Sequence, residues 1–218
     1  KKTSSFTAQT TVSNSNSNCF LLAVTVEGLI KEEDDVIMDN YLEGYKEIYK
    51  FFQLLGTVFG FVSSDVKSKV EILEEFRKKD NSDKFESFKI MMQYEKSEGL
   101  FIKTDYVSGS RTLLRLHRGL DFIREFLEQV SNLKPHEKTS AACQSAYHST
   151  LAKYHPWIVR KGAVVAMYAL PTQEQLLKRV CVDAERAVAI LPDVLEITRT
   201  VHSRTEQLFT NFDLHDLP

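Results

Sequence analysis

The chain has 218 residues, which is enough for one domain with a sizeable core. Its 28 Lys and Arg residues against 30 Asp and Glu residues give a formal net charge of −2, which excludes a generally basic nucleic-acid-binding protein. Any site for an anion must therefore come from a local concentration of basic side chains.

The three cysteines, Cys19, Cys143 and Cys181, are far apart and show no metal-ligand spacing. We therefore expect reduced thiols in a reducing compartment, with Cys143 and Cys181 packed as small apolar side chains. No run of 18 or more apolar residues occurs, so no membrane-spanning helix is predicted. The chain begins at Lys1 rather than Met, and we expect it to be trimmed, which leaves open an upstream targeting or anchoring segment.

Residues 1–18 are mostly Ser, Thr, Asn and Gln, and this composition predicts a disordered tail or linker. From residue 19 onward helical periodicity dominates, with few Gly and Pro residues and no sustained alternation of apolar and polar residues. The pattern indicates a single all-α domain of about eight helices. We predict helical segments over 19–31, 36–62, 64–79, 82–97, 108–131, 138–154, 156–169, 172–180 and 183–211.

Short polar residues precede several of these segments and are candidate helix caps. The candidates are Asp34 or Asp35, Ser63 or Ser64, Ser82 or Asp83, Ser108 or Ser110, and Thr172. Within the last segment Pro192 predicts a kink or a break, because proline removes a backbone donor and clashes with the preceding turn.

Charged residues lie on the apolar face of the predicted helix in SDVKSKVEILEEFRK (64–78). At about 100° per residue, Asp65 and Lys69 share the face that carries the apolar residues Val66, Val70, Leu73 and Phe76. The simpler interpretation is an ion pair between residues four apart at a helix N-terminus. The alternative is a polar site beside an apolar interior, because inward charge is costly unless it is paired or used.

The segment RTLLRLHRGLDFIREFLEQV (111–130) repeats this feature with arginines. Arg111 and Arg115 continue, toward the N-terminus, a stripe that further along is aromatic, whereas Arg118 borders the polar arc. Either the helix end leaves the core and its arginines meet water, or the arginines clamp a phosphate. The forked donors of Arg match phosphate oxygens, and Lys69 could join Arg111 and Arg115 around one phosphomonoester.

The sequence Tyr154-His155-Pro156-Trp157 interrupts the helical pattern, since Pro disfavours a helical conformation at the residue before it. A histidine at such a break is commonly a structural hydrogen-bonding residue, but its ring can also project into a site. Trp157 is the only tryptophan and is followed by Arg160 and Lys161, a combination that suits an anionic membrane surface as well as an ordinary core position.

Enzyme signatures are missing from the chain. It contains no Walker loop, dinucleotide glycine fingerprint, G-x-S-x-G or H-E-x-x-H motif, and its six histidines do not cluster at ligand spacing. We therefore predict a protein without catalytic activity, cofactor or metal site, although an acid–base pair of Asp65 and His155 is conceivable.

From about Phe20 to Pro218 the chain resembles the glycolipid transfer protein family, and in particular the branch of that family that carries ceramide-1-phosphate. The resemblance rests on the order and spacing of LGTVFGFVSSDVKSK (55–69), SGSRTLLRLHRGL (108–120), YHPWIVRKGAVVA (154–166), ALPTQEQLL (169–177) and LHDLP (214–218). It implies a two-layer all-α sandwich that holds one sphingolipid, with the lipid chains in an apolar pocket. Residues 19–218 are then the lipid-binding domain.

The resemblance also implies roles for individual residues. Asp65 would accept hydrogen bonds from the ceramide amide and hydroxyl, and His155 would bond the amide carbonyl. Lys69, Arg111 and Arg115 would hold the phosphate, since sugar-binding relatives have Asn near the first of these positions and Trp at the third.

The expected function is non-enzymatic transfer of ceramide-1-phosphate between membranes by a monomer. The protein would be cytoplasmic and would contact anionic membrane surfaces transiently. Candidate docking residues are Trp157, Val62, Arg160 and Lys161. Two alternatives remain: a sphingolipid sensor or scaffold of the same fold, and an interaction module whose basic patch binds an acidic protein.

Overall fold

The computed structural model describes residues 34–56, 59–180 and 184–217. The predicted helix at 19–31, the polar segment 1–18, Cys19 and Cys181 lie outside these described residues. Within them the chain forms eight α-helices: α1 (Met38–Leu54), α2 (Gly60–Lys78), α3 (Phe88–Ser97), α4 (Gly109–Ser131), α5 (Ser140–Ser149), α6 (Trp157–Met167), α7 (Gln173–Val180) and α8 (Ala184–Phe212).

Short 3₁₀ turns at Ser82–Phe85, Leu100–Ile102 and Ala152–Tyr154 join some of these helices. The predicted all-α class and the number of helices are thereby confirmed. No helix of the described residues is long and apolar enough to cross a bilayer.

Helix α4 is the central element of the fold. It packs against α2, α3, α5 and α8, while α1 lies along α2 and α6 contacts α5. Large side chains from several helices meet around it and are fully buried, among them Phe88, Phe126 and Phe209. This packing is what brings the charged faces of α2 and α4 together.

The N-terminus of α4 is anchored by the carboxylate of Glu95, which is completely buried. Glu95 accepts hydrogen bonds from the backbone N–H groups of Gly109 (2.6 Å) and Ser110 (2.9 Å) and from the hydroxyls of Tyr106 (2.8 Å) and Ser108 (3.0 Å). The negative charge also suits the positive end of the helix dipole. Ser108 is the N-cap, as predicted, since its hydroxyl accepts from the Arg111 N–H at 3.2 Å.

The break between the first two helices was predicted in the wrong place. The segment predicted as one helix over 36–62 ends at Leu54, and α2 begins at Gly60 with Phe59, not Ser63 or Ser64, as its N-cap. Gly56 has φ +106°, a conformation that L side chains rarely adopt, and it ends α1 at a point that apolar spacing does not mark.

Two other predicted caps were wrong and one is confirmed. Ile37 is the N-cap of α1, and Asp35 instead accepts from the Lys89 N–H at 3.1 Å. The segment at 82–85 is a 3₁₀ turn, and α3 is capped by buried Ser87. The Thr172 hydroxyl does accept from the Gln175 N–H, at 3.4 Å, at the start of α7.

Of the kink or break predicted at Pro192, the break does not occur, because helix α8 continues through this residue. The lost backbone hydrogen bond is tolerated because Leu191, Val201 and Leu208 of the same helix are buried on both sides of the proline. Cys143 is buried as expected, and this burial raises the pKa of its thiol to about 12.

Candidate functional site

A polar cavity of about 510 Å³ opens where α1, α2, α4 and the segment after α5 meet. It brings together residues that the sequence places in three separate segments: Asp65 and Lys69 of α2, Arg115 of α4, and His155. Its other described lining residues are Tyr45, Phe52, Val66, Leu116, Arg118, Gly119, Phe122, Ile123, Leu151 and Tyr154.

On the α2 side, Lys69 donates a hydrogen bond to the carboxylate of Asp65. The Lys69 side chain is 15% exposed, whereas that of Asp65 is 65% exposed. The ion pair of the simpler interpretation therefore exists, and it lies in the wall of a cavity. Asp65 is at the rim rather than within the interior.

On the α4 side, Arg115 and Arg118 line the cavity. Arg118 is held by two groups: it donates to the His215 carbonyl at 2.9 Å, and its guanidinium lies 4.0 Å from the centre of the Tyr154 ring. This arrangement fixes Arg118 as part of the wall. Arg115 is more exposed than Arg118, and it lines the same cavity as Lys69.

Arg111 is not among the described residues that line the cavity. Its guanidinium donates to the carbonyl of Phe101, in the turn Leu100–Ile102. Its Nε is buried and has no hydrogen-bond partner among the described residues. Of the five predicted head-group residues, Asp65, Lys69, Arg115 and His155 line the cavity. Arg111 does not line it, and it lies one helical turn before Arg115 on α4.

His155 is oriented by a tyrosine that sequence reasoning missed. The hydroxyl of Tyr147 and Nδ1 of His155 are 2.8 Å apart. Burial raises the pKa of Tyr147, so its hydroxyl keeps a proton to donate. Burial lowers the pKa of His155, and the nearby charge of Asp65 offsets part of that effect. The Tyr147 hydroxyl can therefore donate to Nδ1 of His155, and in that tautomer Nε2–H is the donor that remains.

A second, apolar cavity of about 80 Å³ lies between α1, α4 and α8. Tyr45 and Ile123 belong to the walls of both cavities, so the two spaces are neighbours. Tyr45 donates to the Leu116 carbonyl at 2.5 Å, which satisfies its buried hydroxyl. The other apolar lining residues include Ile48, Phe51, Leu120, Leu127, Val194, Ile197 and Val201.

Exposed apolar side chains lie on the predicted docking segment. Trp157 and Ile158 are each 61% exposed, and Arg160 and Lys161 are exposed beside them. The ammonium group of Lys161 lies 5.1 Å from the centre of the Trp157 ring. Val62, by contrast, is partly buried and packs against the core.

With this geometry in place, comparison with known proteins defines the class. The glycolipid transfer protein (GLTP) family model matches residues 36–182, and the chain belongs to this family. The expected fold, a two-layer all-α sandwich with an apolar pocket, is confirmed.

Similar relatives within this family include ceramide-1-phosphate transfer proteins. The chain is 37% identical to the ceramide-1-phosphate transfer protein of Xenopus laevis, over 87% of this chain and 91% of that protein. It is 35% identical to the ceramide-1-phosphate transfer protein of Homo sapiens, over 92% and 96%. The crystal structure of the human protein in complex with 12:0 ceramide-1-phosphate matches with a TM-score of 0.82 at 34% identity, covering 92% of this chain and 98% of that one.

Proposed function

We propose that this chain carries ceramide-1-phosphate between membranes without changing it chemically. The observation that supports the proposal is the polar cavity, which is lined by Lys69, Arg115 and His155 and adjoins a space lined by apolar residues. The relatives named as ceramide-1-phosphate transfer proteins support the same conclusion. We assign the lipid-binding domain to residues 19–218, and residues 1–18 to a tail or linker.

The phosphate binds between α2 and α4. Lys69 and Arg115 supply the charge, and each charged hydrogen bond contributes roughly 1.5–3 kcal/mol. Arg111 is the third cation. It lies four residues before Arg115, and its buried Nε gains a partner when the guanidinium exchanges the Phe101 carbonyl for a phosphate oxygen.

The ceramide amide binds beside the phosphate, at Asp65 and His155 of the same cavity. Asp65 accepts from the amide N–H and a hydroxyl, and Nε2–H of His155 donates to the amide carbonyl. When the phosphate engages Lys69, the carboxylate of Asp65 is released for these donors. This arrangement selects an amide-linked lipid over a glycerol diester, because a diester lacks the N–H donor.

Transfer between membranes also requires that the protein contact each bilayer reversibly. Trp157 and Ile158 insert at the interface, and Arg160 and Lys161 attract anionic lipid head groups. Val62 stays with the core, so it contributes by supporting its neighbour Phe61, which is 53% exposed. The protein acts as a monomer from the cytoplasm and associates peripherally with the bilayer.

The direct test is transfer of fluorescent ceramide-1-phosphate from quenched donor vesicles to acceptor vesicles. We expect rapid transfer of this lipid and little transfer of a neutral glycosphingolipid. The variant Arg115→Gln should lower the transfer rate at least about tenfold, because it removes charged hydrogen bonds to the phosphate.

The matched control is Arg199→Gln, an exposed arginine of α8 that is 53% exposed and pairs with Glu196 at 2.7 Å. It should transfer lipid at the rate of the unmodified protein. Robust transfer of the neutral glycolipid alone would overturn the head-group assignment. Tight binding of ceramide-1-phosphate without transfer would instead favour the sensor alternative, and altered lipid by mass spectrometry would contradict a carrier.

A further inference from the structure

Four potential metal ligands face each other across the contact between α4 and α8. His117 and Asp121 are four residues apart on α4, and His202 and Glu206 are four residues apart on α8. Residues at this spacing share one face of a helix. Facing helices that each present such a pair are a recurrent way to build a metal site inside a helical bundle.

The distances within this cluster are short. His117 Nε2 lies 2.6 Å from a Glu206 oxygen, and His202 Nε2 lies 3.7 Å from an Asp121 oxygen. The rings of His117 and His202 stack with their centres 4.3 Å apart. One donor atom each from His117, His202 and Glu206 lie within 4.8 Å of one another.

Burial and hydrogen bonding distinguish the cluster from a surface ion pair. His117 is 3% exposed, and its Nδ1 is buried without a hydrogen-bond partner among the described residues. Because a carboxylate only accepts, Nε2–H of His117 donates to Glu206, and a bound metal ion would take the place of this proton. The Glu206 side chain is 51% exposed, which leaves an entry path for an ion.

The lipid site does not account for these residues. Among the described residues that line the polar and the apolar cavity, none belongs to the cluster. The cluster therefore has no part in the proposed binding of phosphate, amide or lipid chains.

The chemistry of the side chains in the cluster suits a cation. Two imidazoles and a carboxylate are ligand types that divalent transition metals bind in proteins, and they bind in their deprotonated forms.

We propose that His117, His202 and Glu206 bind a divalent transition metal, with Zn²⁺ as the best match for imidazole and carboxylate ligands. At metal–ligand distances of about 2.0–2.1 Å, donors around a tetrahedral Zn²⁺ are about 3.3 Å apart, so the donors move by about 1 Å. Water or Asp121 completes the coordination. The Asp121 carboxylate accepts a hydrogen bond from Arg124 at 2.9 Å. This bond holds the carboxylate in place, so that Asp121 can be the second metal ligand that α4 supplies.

Such a site would join α8 to the central helix α4. The metal would bind the folded chain and not the unfolded chain, so it would raise the stability of this layer by mass action. None of the three ligands is among the described residues that line the lipid cavities, so the metal-site proposal does not rest on the lipid assignment.

The test uses the full chain after dialysis against a chelator. We expect isothermal titration with Zn²⁺ to show one site per chain, and Co²⁺ to give visible d–d absorption typical of a site with nitrogen and oxygen ligands. Zn²⁺ should also raise the melting temperature. His202→Ala and Glu206→Gln should each weaken Zn²⁺ binding at least about tenfold, since each removes a ligand.

The matched control is His136→Ala, which removes an exposed histidine from the segment between α4 and α5. It should bind Zn²⁺ like the unmodified chain. Circular dichroism checks that each variant is folded. Unmodified protein that takes up no stoichiometric Zn²⁺, or a folded His202→Ala variant that binds Zn²⁺ with unchanged Kd, would overturn the proposal and leave a structural hydrogen-bond network.

Discussion

At the scale of single residues, Lys69 and Asp65 form an ion pair in the lipid-free protein and bind different parts of the head group in the proposed complex. An ion pair with one partner 65% exposed contributes at most about 1 kcal/mol to stability, because water screens the charge. In the proposed complex its two partners separate, one toward the phosphate and the other toward the amide. The ion pair thus balances the two charges before the lipid binds. Breaking it on binding costs little free energy, because it is weak.

The hydrogen bond between Tyr147 and His155 gives a residue-scale prediction. Tyr147→Phe removes the donor to Nδ1, so the imidazole no longer prefers the tautomer with Nε2–H directed at the amide carbonyl. We expect transfer of ceramide-1-phosphate to fall severalfold, and the free energy of unfolding to fall by about 0.5–1.5 kcal/mol. Vesicle transfer and urea unfolding measure the two effects.

The control for this variant is Tyr49→Phe, which removes a hydroxyl of α1 that accepts from Gln53 at 2.7 Å outside both cavities. It should transfer lipid normally. If Tyr147→Phe also transfers at the normal rate, the hydroxyl does not position His155.

Much of the site could be predicted from helical spacing. Asp65, Lys69 and Arg115 follow from the wheel positions of two helices, and His155 came from the family resemblance. The bond of Arg111 to Phe101 could not be predicted, because Phe101 lies in a 3₁₀ turn whose position relative to α4 has no periodic signal. Tyr147 was missed for a similar reason: an aromatic residue in a helix looks like ordinary core.

At the scale of elements, α4 depends on a single carboxylate from α3. Glu95 accepts four hydrogen bonds at the N-terminus of α4, and all of them are lost in Glu95→Ala. We expect the free energy of unfolding, measured in urea, to fall by at least about 3 kcal/mol, because buried donors then lack an acceptor. Transfer should fall as well, since Arg111 and Arg115 are placed by this end of the helix.

Glu98→Ala is the matched control, since Glu98 directly follows α3 and is exposed. It should change the free energy of unfolding by less than about 0.5 kcal/mol. A loss below about 1 kcal/mol in Glu95→Ala would mean that water replaces the carboxylate as the acceptor.

The elements also show where sequence reasoning is weak. The apolar spacing of residues 36–62 fits one continuous helix, yet Gly56 interrupts it with a backbone conformation that the spacing does not encode. At Pro192 local rules predict a kink or a break, and the break does not occur, because buried residues on both sides keep α8 continuous.

At the scale of the whole molecule, a net charge of −2 does not favour binding to an anionic membrane, so the proposed docking requires a local basic patch. Trp157 is the only tryptophan, and its fluorescence therefore reports the patch directly. We expect its emission to shift to shorter wavelength with vesicles that contain phosphatidylserine. The shift should shrink at 1 M salt, where the screening length is about 3 Å. Replacing both Arg160 and Lys161 by Gln should have the same effect as salt.

Lys84→Gln is the control for the docking patch, since Lys84 is an exposed lysine in the turn Ser82–Phe85. It should leave the fluorescence shift unchanged. An equal shift with neutral phosphatidylcholine vesicles would contradict an electrostatic contribution, and the absence of any shift would contradict docking through Trp157.

The small volume of the apolar cavity has a consequence for the whole carrier. About 80 Å³ accommodates only a short piece of hydrocarbon, whereas the polar cavity is already about 510 Å³. In the proposed complex the head group enters a cavity that already exists, whereas the lipid chains require α1 and α8 to move apart. Burial of each methylene contributes about 0.8 kcal/mol, which offsets the free energy needed to separate these helices. We therefore expect head-group binding and chain insertion to be separate steps. A short-chain lipid with the phosphate head group binds without separation of the helices, whereas a long-chain lipid without that head group does not bind.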